Sequence, residues 1–201
     1  VNETAQQHPQ TLTEVLRVRF KRLLDPVGAF LNRIGIAPNT LTLTGLAGNL
    51  VGAIFLARGE FLIGGLILLF MGPLDALDGT MARLRGEPTT FGAFIDSVTD
   101  RYSELIIYGG LLLHYALASD ATLSMMAFAA ASGSVLVSYA RARAQSLGYE
   151  AKGGLLTRAE RFIVLIPSLI LGYPQVGIWL VAIFANITAL QRILAVRRQA
   201  R

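Results

Sequence analysis

Four aspartates, Asp75, Asp78, Asp96 and Asp100, stand close together in a chain that is otherwise strongly apolar. Asp75 and Asp78 are three residues apart and Gly79 follows, so on a helix they share one face, with Ala82 and Arg83 continuing it one turn on. Gly92, Asp96 and Asp100 are spaced by four and share a face of a second helix. A short polar turn containing Gly86 and Pro88 joins the two, so the sequence predicts neighbouring antiparallel helices whose carboxylates face one another. Like charges held that close raise one another's pKa until some protonate, and a divalent cation removes the conflict. Oxygen donors without His or Cys suit magnesium, manganese or calcium. Carboxylates bridging two ions about 4 Å apart would polarise a phosphoryl group. Gly79 and Gly92 leave room for a bulky ligand against the backbone, and Arg83 supplies a cation for a diphosphate oxygen. Ion pairing with Arg83 and Arg101 alone would account for one or two of the aspartates, not for four in helical register.

The elements that must position these groups are membrane helices. Of the 201 residues, 53% are hydrophobic and 15% charged, against about 25% charged in a soluble domain. There is no cysteine, which excludes disulfides and thiolate metal sites, and His8 and His114 are too far apart in sequence to suggest zinc. The net charge of +5 would suit nucleic acid or anionic lipid, and the apolar runs decide for the bilayer. Apolar stretches cover 41–57, 61–74, 91–119 (its charges all in its first half), 121–140 and 162–191, the last broken at Gly172-Tyr173-Pro174 into helices of about 157–172 and 175–196. Six transmembrane helices with the N-terminus inside place every basic residue except Arg58 on the cytoplasmic side. Residues 35–201 thus read as one all-α, six-helix integral membrane domain, multi-pass in the cell (inner) membrane with its site facing the cytoplasm. Residues 11–34 read as an N-terminal amphipathic helix lying in the interface, with Leu12, Leu16, Phe20, Leu23, Val27, Phe30 and Ile34 forming its apolar stripe. Residues 1–10 read as a disordered leader, and no cleavable signal sequence is expected. Gly48 and Gly52 could admit close helix approach, within the chain or between copies.

Taken as a string, Asp75-x2-Asp78-Gly79-x2-Ala82-Arg83-x8-Gly92-x3-Asp96-x3-Asp100 resembles the complete signature of the CDP-alcohol phosphotransferase family. Pro38-Asn39-x2-Thr42 resembles that family's entrance to its first membrane helix. The resemblance implies a homodimeric membrane enzyme that transfers a phosphatidyl group from CDP-diacylglycerol to an alcohol and releases CMP. Asp75, Asp78, Asp96 and Asp100 would hold two divalent cations, magnesium first and manganese second. Asn39, Thr42, Asp78, Gly79, Ala82, Arg83 and Gly92 would form the CDP site, and Asp100 is the candidate general base for the acceptor hydroxyl.

The acceptor is read from the second half. Arg141 ends the fourth hydrophobic stretch, Arg158 and Arg161 open the fifth, and Arg192 closes the sixth, all at the expected cytoplasmic face. Converging cations suit an acceptor that itself carries a phosphate. These segments resemble the phosphatidylinositol-phosphate synthase branch, whose acceptor is inositol 1-phosphate, although Arg141 and Thr157 depart from the lysine and the acidic residue expected there. Glycerol 3-phosphate is the main alternative. A prenyltransferase would separate its aspartate motifs more widely. A cation transporter, the reading from another class, would be expected to show a second acidic cluster in a repeated half. No nucleic-acid partner is expected.

Overall fold

A computed structural model of the chain describes residues 24–85, 89–151 and 153–201, apart from the side chains of Asp75 and Ala76. The expected leader, residues 11–23 of the amphipathic helix, and the turn at Gly86 and Pro88 lie outside the described residues. The described residues form helices: α1 (residues 24–33), α2 (Pro38–Ala57), α3 (Phe61–Leu84), α4 (Thr90–Leu117), α5 (Ala121–Ser146), α6 (Arg158–Ile170) and α7 (Pro174–Gln199).

Local chemistry sets the boundaries. Pro38 and Pro174 occupy first-turn positions of α2 and α7, where a missing N–H costs nothing. Thr89 caps α4 by accepting from the Gly92 amide at 2.9 Å, and Asp120 caps α5 through Leu123 at the same distance. Thr157 and Glu160 close a reciprocal capping box at the start of α6. The break expected at 172–174 is a glycine-terminated helix end. Gly172 has φ +78°, its amide donates to Leu169 O, and the Tyr173 amide reaches Ser168 O at 2.8 Å.

Four of these helices, α2, α3, α5 and α7, are long and apolar enough to cross a membrane, which makes the chain a multi-pass membrane protein in character. The other two long elements differ for physical reasons. α4 carries Asp96, Asp100, Arg101 and Glu104 in its first half, and α6 has 13 residues, about 20 Å of rise.

α2 is the organiser of the site half. It packs against both α3 and α4, whereas α3 and α4 do not pack extensively on one another among the described residues. This corrects the expectation that the two aspartate helices lean directly together. The cause is the run of small residues on α2. A Cβ on Gly48 would overlap Met71 Sδ of α3, and one on Gly52 would press on Leu68, so this glycine pair serves packing within the chain. On the other side, Gly110 of α4 lies against the Ala53 backbone of α2. In the other half α5 packs on α4 and α7, and α6 on α3 and α7, around Leu111, Leu165, Leu169, Ile178 and Val181.

The described part of α1 has two apolar faces. Leu24 and Leu31 pack with Leu41, Leu77 and Met81 of α2 and α3, and Gly28 lies against Thr80 and Met81. The stripe expected to be its membrane face keeps Val27, Phe30 and Ile34 exposed. Arg85 ties this corner together, donating through Nε to Asn32 Oδ1 at 2.7 Å and through Nη2 to Ile36 O at 2.6 Å.

Gly110→Ala would place a Cβ 2.5 Å from the Ala53 carbonyl oxygen and force α2 away from α4. The expected cost is about 1–3 kcal/mol, read as a lower unfolding midpoint in detergent. Gly109→Ala meets nothing within 4 Å and should leave the midpoint unchanged or raised.

Candidate active site

The α3 side of the site is built on Asp78, which is buried at 5% exposure. Thr42, buried on α2, donates its hydroxyl to Asp78 Oδ2 at 2.6 Å, and the Gly79 amide donates to Oδ1 at 2.5 Å. Both bonds set a donor against a carboxylate oxygen and fix how the group is turned. Arg83 turns back along α3, its Nη2 donating to Thr80 Oγ1 at 2.9 Å while Nη1 stands over Gly79. Ala82 is half-buried and Asn39 exposed at the start of α2. The structure therefore brings Thr42, Asp78, Gly79 and Arg83 together, and leaves Asn39 at the rim. The carboxylate of Asp75 lies outside the described side chains.

The α4 side carries Gly92, Asp96 and Asp100 on successive turns, all half-buried. Gly92 is occupied in the capping bond to Thr89. Asp100 Oδ1 receives Arg158 Nη1 at 2.6 Å, with Arg101 Nη1 at 3.4 Å from Oδ2. Arg158 also stands over the Phe162 ring, 5.5 Å from its centre. Among the described residues no three acidic or histidine side chains converge on one point. The donor set nonetheless fits a hard divalent ion. Its described members are hard oxygen donors, with Asp78 buried on α3 and Asp96 and Asp100 half-buried on α4.

The expected acceptor arginines occupy three different environments. Arg158 is a quarter exposed and contacts Asp100. Arg161 is 2% exposed, with Nη2 donating to Glu104 Oε1 at 2.6 Å and Nη1 to Leu156 O at 3.3 Å. Arg192 is buried toward the C-terminal end of α7, donating through Nε to Gly153 O at 3.0 Å and through Nη1 to Val137 O at 2.6 Å. It lines a cavity of about 370 Å³ with Gly153, Gly154, Leu155 and Gln191. Arg141 lies exposed on α5.

The sequence pattern of the CDP-alcohol phosphatidyltransferases matches residues 35–192, which takes in both aspartate helices and Arg192. The chain belongs to that family. It is 38% identical to phosphatidylinositol phosphate synthase of Streptomyces avermitilis, over 94% of this chain and 83% of the relative. It is 34% identical to archaetidylinositol phosphate synthase of Pyrococcus horikoshii, over 92% and 96%. Its fold is similar to crystal structures of Mycobacterium tuberculosis phosphatidylinositol phosphate synthase. With CDP-DAG bound, that structure gives a TM-score of 0.81 at 32% identity and covers 87% of this chain and 94% of that one. The complex with manganese and citrate gives 0.82 at 31%, covering 87% and 88%. This CDP-alcohol phosphatidyltransferase is accordingly a phospholipid-synthesising transferase, which removes the transporter and prenyltransferase readings.

One buried acid of the site, Glu104, escaped the motif-based reading. The signal was present, because Glu104 extends the four-residue ladder Gly92, Asp96, Asp100 by one more turn. The partnership of Thr42 with Asp78 was half legible, since Thr42 was expected at the nucleotide rather than against a carboxylate.

Thr42→Val removes the donor to a buried carboxylate oxygen and should cost about 1–3 kcal/mol, while Thr42→Ser should retain most of the stability. Thermal unfolding of the purified transferase variants in one detergent compares them.

Proposed function

We propose that this transferase moves a phosphatidyl group from CDP-diacylglycerol to inositol 1-phosphate, giving phosphatidylinositol phosphate and CMP. The observation that carries the reading is the 2.6 Å contact between Arg158 and Asp100. It joins the basic segment expected to hold the acceptor's phosphate to the carboxylate expected to take the acceptor's proton. The similarity to named phosphatidylinositol phosphate synthases over nearly the whole chain supports the same acceptor.

In this reading Asp75, Asp78, Asp96 and Asp100 would hold two divalent cations, magnesium or manganese, and those charges would neutralise the diphosphate oxygens and ease departure of CMP. A manganese complex of the Mycobacterium tuberculosis enzyme supports that cofactor class. Thr42 and the Gly79 amide keep Asp78 correctly turned. Gly79, Ala82 and Gly92 leave room for the nucleotide, Asn39 meets it at the rim, and Arg83 binds a diphosphate oxygen. Arg158 holds the acceptor's phosphate by contact, Arg141 from the surface, and the buried Arg161 and Arg192 through their charge. Asp100 accepts the proton from the acceptor hydroxyl as its oxygen bonds to the lipid-side phosphorus and the bond to CMP breaks.

All six helices α2–α7 cross the bilayer of the cell membrane in this reading, with the carboxylate ends at the cytoplasmic face. α1 lies in the interface, with Val27, Phe30 and Ile34 toward lipid. The enzyme works as a homodimer.

The deciding assay supplies CDP-diacylglycerol and magnesium and compares inositol 1-phosphate, inositol, glycerol 3-phosphate and serine by CMP release. Inositol 1-phosphate should exceed the others by at least about tenfold in kcat/KM. A preference for glycerol 3-phosphate would replace this acceptor. Chelation by EDTA should stop turnover and magnesium should restore it. Asp75→Asn, Asp96→Asn and Asp100→Asn should each lower kcat by roughly a hundredfold or more. Arg158→Ala should raise KM for the acceptor far more than KM for the CDP-lipid, measured by varying each substrate in turn.

A further inference from the structure

We infer that Glu104 is a positioning residue for the acceptor half of the reaction, acting through Arg158. This rests on the acceptor reading above. Glu104 sits one helical turn from Asp100 on the same face of α4 and is 3% exposed. Its Oε1 faces two guanidinium groups of α6, Arg161 Nη2 at 2.6 Å and Arg158 Nε at 3.6 Å. Arg158 is therefore bracketed along α4. Its Nε edge is turned to Glu104, and its Nη1 end reaches Asp100 at 2.6 Å.

The bracketing has a direction. Arg161 is anchored at both ends, to Glu104 and to the carbonyl of Leu156, so it fixes the Glu104 carboxylate instead of following it. The fixed carboxylate then draws the neighbouring Arg158 guanidinium toward it by charge, at an ion-pair distance of 3.6 Å that is too long for a hydrogen bond, and so biases where its planar fork lies. A phosphate meeting Arg158 encounters a guanidinium already aimed at the reacting carboxylate. Glu104 Oε2 is buried with no hydrogen-bond partner among the described residues, and so is Arg161 Nε. A fold under stability pressure alone has little reason to retain such atoms, because an apolar pair of similar volume would serve as well or better.

The test is a double-mutant cycle on the full-length enzyme with CDP-diacylglycerol, magnesium and the phosphorylated acceptor that the wild type uses best. Glu104→Asp keeps the charge balance with Arg161 but withdraws the carboxylate by one methylene. It should raise the acceptor KM on the order of tenfold and leave the CDP-lipid KM within about twofold. In an Arg158→Ala background it should add nothing further, because the route through Arg158 is already gone. Glu104→Gln, of native size, serves the same cycle if the aspartate variant does not fold. An unchanged acceptor KM, a parallel rise in both KM values, or effects of Glu104 and Arg158 that multiply would overturn the inference. A wild type that turns over no phosphorylated acceptor would overturn the acceptor reading and this inference with it. Normal wild-type turnover with an inert Glu104 would overturn this inference alone.

Discussion

An ionised carboxylate inside a helical bundle must have a donor or a cation against it, since the low-dielectric surroundings give it no water to fall back on. The arrangement of this protein follows from that requirement. Asp78 is answered by the Thr42 hydroxyl and the Gly79 amide, Asp100 by Arg158, and Glu104 by Arg161. The answers come from three structural sources: a neighbouring helix for Thr42, the local backbone for the Gly79 amide, and the first turn of α6 for both arginines. The helices of the site half are joined by these polar contacts as much as by apolar packing. That explains why charge is concentrated at one end of a bundle whose middle is Leu, Ile and Val.

The second determinant is the width of α2. Its small residues allow α3 and α4 to approach it closely from two sides, while the two aspartate helices do not pack closely on one another. If α3 and α4 were packed tightly together, their carboxylates would meet each other instead of a ligand. A shared neighbour sets their separation, with α4 held by backbone contact of Gly110 on Ala53 and α3 by Met71 and Leu68 seated on Gly48 and Gly52. The spacing of the two aspartate helices is in this sense a packing property of α2.

Much of this was legible in the sequence, and the exceptions are instructive. Helix existence followed from apolar runs, and the break at Gly172–Pro174 from the two residue types that end helices. The Asp78, Gly79 and Arg83 face followed from spacing alone, because a helix converts spacing into direction. Packing partners did not follow. A sequence states which residues share a face but not which helix lies opposite, and the short turn between α3 and α4 suggested direct contact where α2 intervenes. For the same reason the sequence did not show that Arg161 is buried against Glu104, from a helix far away in sequence. The short α6 was legible as well, because Gly172 and Pro174 divide its apolar run from that of α7.

That short helix bears on how the two kinds of substrate reach one site. Thirteen residues rise about 20 Å, some 10 Å less than the hydrocarbon thickness. With α6 crossing as proposed and Gly172 at the far surface, its first turn, with Arg158 and Arg161, starts well below the near surface. In that placement water would have to reach the partly exposed Arg158, which would thin the permeability barrier above it into a local dimple. With the proposed substrates, a water-soluble sugar phosphate would descend through such a dimple while the CDP-linked lipid would remain in its leaflet. The phase boundary is brought to the chemistry, and neither reactant has to leave the solvent it prefers.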